Sequence, residues 1–150
     1  VAESPAEVLV IRVVALALAV SSSAACITLP DLGDEPVELE PGVKTAAELR
    51  WNRESYVSFV VEVPEDAMVL VLALADSEVD LDIFARHGKP MRSWEDDVEF
   101  SAATDLYNDT LRITRHESPA LQAGTYYVDV TYNLDADPEV DGRPVDRIPF

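Results

Sequence analysis

Four carboxylates recur at alternate positions in one short run: Asp76, Glu78, Asp80 and Asp82. A calcium ion needs several carboxylate and backbone carbonyl oxygens close together, so this segment is the candidate metal site. Asp96, Asp97 and Glu99 form a second acidic group further on. Neither group has the Gly-bearing loop spacing of an EF-hand. Acidic, solvated turns account for the same residues, and Asp80 and Asp82 also suit hydrogen bonding to neighbouring loop backbone.

Catalytic chemistry finds less support. Acyl transfer requires a nucleophile activated by a base that an acid orients. The chain has no Gly-x-Ser-x-Gly elbow, and its one thiol is Cys26. Ser118 lies close to His116 in a loop ahead of Pro119, which does not make a triad. Pairs of carboxylates suited to glycoside hydrolysis can be drawn from 29 acidic residues by chance, so they carry no information. His87 and His116 stand apart, and no His-x-x-x-His or Cys-x-x-Cys spacing offers a zinc site. The expectation is a protein that is not an enzyme.

Binding to a polymer would need aromatic side chains on an outer surface, where they give broad contact at low entropy cost. Tyr127 is the first candidate, because it falls out of phase with the apolar set Tyr126, Val128 and Val130. Trp94 and Trp51 lie in polar stretches and come next. Each of the three also suits a place at the rim of a core. A formal charge of −18, from 29 acidic and 11 basic residues, argues against nucleic acid, whose phosphates need clustered Lys and Arg. A hydrophobic content of 48% over 150 residues still provides one domain with a core.

The N-terminal part reads as an address. Arg12 stands within the apolar run 10–20 and SSSAAC follows at 21–26, the order of a secretory signal. The uninterrupted apolar stretch Val13–Val20 is far shorter than a bilayer-spanning helix. Residues 1–25 are therefore expected to be a signal peptide, with a buried helix or strand as the other reading. Glu3 and Glu7 depart from the usual basic start, and Val1 in place of Met fits an alternative start codon or a chain cut from something longer. Cleavage before Cys26 would expose a lipidation site and give the one route to a membrane. Ser23 stands where a lipobox has leucine, so plain cleavage after Ala25 stays open. The protein is expected to be exported, either extracellular or anchored in the cell envelope. Residues 26–42, acidic and containing proline, read as a linker.

The elements that must position these residues are strands. From Val43 onward the dominant period is two. YVSFVVEV at 56–63 puts Val57, Phe59, Val61 and Val63 on one face, and Pro64-Glu65-Asp66 follows as a turn. AMVLVLALA at 67–75 is apolar at every position and suits a covered central strand or a buried helix; its length and flanking strands favour the strand. Alternation returns with Val79, Leu81 and Ile83 inward against Asp80 and Asp82. In 109–115, Leu111 and Ile113 fall inward, with Arg112 and Thr114 outward. In 124–132, Tyr126, Val128, Val130 and Tyr132 oppose Tyr127, Asp129 and Thr131. RIPF at 147–150 starts a last strand. The fold class expected is all-β, an antiparallel β-sandwich of jelly-roll-like form.

In their order, Tyr56–Pro64, Asp80–Phe84, Ser118–Pro119 and Ala123–Val130 resemble the bacterial pre-peptidase C-terminal domain, which is similar to collagenase collagen-binding domains. The resemblance spans about residues 43–132 and makes 43–150 the folded domain, cut short at its C-terminal end. It implies a non-catalytic accessory module that aids secretion or holds an enzyme on an extracellular polymer or protein ligand. Some collagen-binding relatives bind calcium. Against the family's usual setting, no protease domain lies upstream. The chain is thus either a stand-alone module or the front of a longer protein, and a ligand-free structural module of a cell-surface lipoprotein is the alternative function.

Overall fold

The computed structural model describes residues 8–14, 35–50, 56–75, 77–91, 97–104, 108–132, 139–140, 143–144 and 147–150. Those residues form thirteen strands and no helix: β1 (Val8–Val14), β2 (Val37–Glu38), β3 (Lys44–Thr45), β4 (Glu48–Arg50), β5 (Tyr56–Val63), β6 (Val69–Ala75), β7 (Leu81–His87), β8 (Phe100–Ala102), β9 (Thr110–Thr114), β10 (Gly124–Tyr132), β11 (Glu139–Val140), β12 (Arg143–Pro144) and β13 (Arg147–Pro149). The expected all-β class holds. One sheet has the order β3-β1-β6-β9 and the other β2-β5-β10-β7-β8, while β11-β12 and β13-β4 are separate pairs. Between β5 and β10 the chain changes sheet at every connection except β7 to β8.

Alternation explains why these segments became strands. Val57, Phe59, Val61 and Val63 of β5 are buried, and so are Leu81, Ile83 and Ala85 of β7 and Tyr126, Val128 and Val130 of β10. From the other sheet, Leu70, Leu72 and Leu74 of β6 and Leu111 and Ile113 of β9 enter the same core. One apolar cluster therefore joins both sheets, as in a sandwich-like arrangement. Within the all-apolar run 67–75, Val69–Ala75 is a strand with Leu70, Leu72 and Leu74 inward and its alternate residues half-buried. Pairing is antiparallel for β5 with β10, β10 with β7, β7 with β8 and β6 with β9. It is parallel for β1 with β6 and with β3, and for β2 with β5, a departure from a wholly antiparallel expectation.

One alternation reading needs adjustment in β9. Thr114, expected outward, is 5% exposed, because the turn after β9 folds back on it: Leu121 N–H donates to the Thr114 carbonyl at 2.8 Å. The packed region also starts before Val43. Leu39 is 2% exposed, and its N–H donates to the Val60 carbonyl at 2.8 Å, so the linker's end is pinned to β5. Upstream, Val8–Val14 forms β1. At the other terminus, RIPF forms β13, and Ala47 and Phe150 exchange two backbone hydrogen bonds of 2.9 Å. Phe150 is wholly buried and meets Phe59 edge-on, with ring centroids 6.2 Å apart.

Candidate functional site

The five-stranded sheet has a second face, away from the core, with β10 at its middle. Register places its residues in rows. Val60, Tyr127 and Arg86 form one row; Ser58, Asp129, Phe84 and Ser101 form the next; Tyr56, Thr131 and Asp82 form the third. Directly opposed residues share a face in an antiparallel pair, so each row is a set of side-chain neighbours. Tyr127 is half-buried at the centre of the first row, and Tyr56 is 45% exposed at the end of the third. The sequence-based placement of Tyr127 on the outward face agrees with this register.

Polar contacts hold this face in shape. Ser58 Oγ donates to Asp129 Oδ1 at 2.6 Å, and Asp129 is 5% exposed. Thr125 Oγ1 donates to Glu62 Oε2 at 2.8 Å. Arg86 pairs with Asp97, both largely shielded from solvent, which ties the residues ahead of β8 to the row that carries Tyr127. Sequence reasoning missed the Ser58–Asp129 and Arg86–Asp97 pairs. Their only trace was alternate spacing within separate strands, and spacing does not reveal which strands pair or in what register.

At one end of the sheet, His87 gathers a second set of contacts. Its backbone N–H donates to Glu99 Oε2 at 2.9 Å, and its Nε2 bonds the Ala123 carbonyl at 2.9 Å. The ring lies 5.0 Å from that of Tyr126, whose hydroxyl accepts the Gln122 N–H at 2.9 Å. Burial pushes the Tyr126 phenol above its ordinary pKa; the Gln122 bond lowers it, and the nearby Glu99 charge adds to the rise. Gly124 makes the close approach of strand and histidine workable, with φ of 113°.

Three of the four carboxylates of the first acidic group are described. Glu78 is exposed, Asp80 and Asp82 are half-buried, and Asp82 belongs to the row with Thr131. Among the described residues no three of His, Cys, Asp and Glu gather in a metal-holding arrangement. Asp97 and Glu99 of the second acidic group serve Arg86 and the His87 backbone. Asp76, Asp96, Trp94, Trp51 and Cys26 lie outside the described residues. No helix among the described residues is long and apolar enough to cross a membrane.

The chain matches no family model, no curated protein and no solved structure.

Proposed function

We propose that the chain is a non-catalytic, exported accessory module of the pre-peptidase C-terminal type, which binds an extracellular polymer through the outer face of its five-stranded sheet. The observation that carries this reading is the position of Tyr127, an aromatic residue at the centre of that face between Val60 and Arg86. A sheet face on whose rows Tyr127, Phe84 and Tyr56 lie among fixed polar pairs supports stacking and hydrogen bonding to an extended chain. Cosedimentation of the full chain with insoluble collagen, chitin and cell-wall material tests it. Retention on one of the three, reduced at least tenfold by Tyr127→Ala, is the expected result. Failure to bind any of them, or equal retention of the variant, overturns the proposal.

Two details belong to the same proposal. Lipidation at Cys26 anchors the module to the envelope, and detergent partitioning that a Cys26→Ser change abolishes is the expected sign. Calcium enters through Asp76, Glu78, Asp80 and Asp82; a titration of the chain that shows no binding heat and no gain in Tm at millimolar calcium would overturn this detail.

A ligand-free structural module is the second reading. It draws on the burial of Asp129 and Thr131, which lie on the outer face yet are 5% and 2% exposed. Part of that face is thus already covered within the chain.

A further inference from the structure

Folding gathers carboxyl groups from distant parts of the chain onto the outer face of the five-stranded sheet. Parallel register sets Glu38 of β2 opposite Val60 of β5, so Glu38 joins the row of Val60, Tyr127 and Arg86. Glu62 lies two residues further along β5, and strand spacing puts its backbone about 8 Å from that of Glu38. Asp129 and Asp82 belong to the next two rows, and Asp97 reaches Arg86 from the residues ahead of β8. Five carboxyl groups, drawn from positions 38 to 129, thus meet one guanidinium on these rows.

The bases elsewhere offset them little. Arg115 turns to the backbone carbonyls of Ala67 and Glu65. Arg112 faces Glu117 at 3.6 Å with both side chains more than half exposed, and a pair so placed contributes little. Glu35, Glu40, Glu65, Asp66 and Glu78 add further exposed carboxylates. The formal charge of −18 lies well beyond the magnitude of about 2–8 that keeps a small domain soluble. Charge of one sign works against a compact state, because the unfolded chain lets the groups separate. The screening length is about 10 Å at 0.1 M salt and about 3 Å at 1 M. A separation of about 8 Å is therefore felt at the lower salt and screened at the higher.

We propose that the fold is salt-dependent: its outer carboxylates repel one another enough that full stability requires monovalent cations at about molar concentration. The cations act as a diffuse atmosphere and not as a bound ion, which separates this inference from a calcium site. It does not rest on polymer binding through Tyr127.

Urea unfolding of the full chain, followed by circular dichroism between about 0.1 M and about 2 M sodium chloride, tests it. Urea is uncharged, so the salt alone sets the ionic strength. The midpoint should rise by at least about 1 M urea across that range, with an unchanged slope. A variant carrying Glu38→Gln, Glu40→Gln, Glu62→Gln and Glu65→Gln, all at exposed positions, should be more stable than wild type at the lowest salt. At the highest salt the two midpoints should coincide. A wild-type midpoint that stays put across the range overturns the proposal. So does a variant that is no more stable at low salt, or one whose midpoint climbs in parallel with wild type, since salt would then act on apolar burial. Millimolar calcium chloride that reproduces the whole gain at the lowest sodium chloride also overturns it, by replacing diffuse screening with a bound ion.

Discussion

Replacing Gly124 with alanine probes the corner where β10 begins, and the structure supplies the size of the effect. Gly124 has φ of 113°, a region that a residue with a Cβ enters only under strain. Strain of that kind costs about 1–3 kcal/mol. The new Cβ would also stand 3.2 Å from His87 Nε2, closer than an ordinary contact. His87 has little freedom to retreat, since that nitrogen bonds the Ala123 carbonyl and the ring packs on Tyr126. Giving up the bond costs about 0.5–1.5 kcal/mol more. The expected destabilisation is therefore about 1.5–4.5 kcal/mol, summing the strain and the lost bond. Urea unfolding followed by circular dichroism should show a lower midpoint with an unchanged slope. In a His87→Ala background the alanine should cost less, by about the value of the lost bond, because the contact has gone and the backbone strain remains. A loss below about 0.5 kcal/mol in the otherwise wild-type chain, the range of ordinary surface changes, would refute the reasoning.

Phe150→Ala should cost about 3–5 kcal/mol in the same urea assay, since it empties a wholly buried site against Phe59. Ser58→Ala removes the hydroxyl that donates to the buried Asp129 and should cost about 1–2 kcal/mol, with Ser58→Thr recovering part of it. Tyr126 gives a pH signature: its folded pKa is raised above the unfolded value, so the folded state holds the phenolic proton more tightly. That stability is fully present below the unfolded pKa of about 10 and is lost as pH rises through the folded value. Urea midpoints should accordingly fall with rising pH above about 10, and Tyr126→Phe should flatten that fall. Tyr127→Ala, on the half-exposed face, should leave the midpoint within about 1 kcal/mol of wild type, the mark of a surface contact residue.

Local pattern and long-range pairing were unequally legible. The inward sets of β5, β7 and β10 follow from period-two alternation, because a strand half-buried in a sheet must segregate its side chains. β6 was ambiguous for the opposite reason: an apolar residue at every position leaves no period to read. Thr114 sits at an outward position by parity, yet the following turn closes over it, which alternation cannot report. Leu39 was hidden among prolines and acids, where one apolar residue gives no signal of a parallel partner in β5. The pairing of Val8–Val14 with β6 depends on chain more than fifty residues away, so no local pattern in the N-terminal run reports it. For the candidate site, the outward phase of Tyr127 was readable within β10. Its neighbours Val60 and Arg86 were not, because they come from separate strands and only register brings them together. Asp129 and Thr131 show the limit of the same rule, since outward parity predicts exposure and both are buried.

Amide chemical-shift mapping of the isotope-labelled full chain tests whether the outer face around Tyr127 is the proposed binding surface. The probes are a soluble triple-helical collagen peptide, a chito-oligosaccharide and a muropeptide, each titrated in turn. Binding at that face should shift the amides of Val60, Arg86, Tyr127 and Asp129 saturably with one of the probes, and Tyr127→Ala should abolish the shifts. Perturbations confined to other surfaces, or none with any probe, would contradict it.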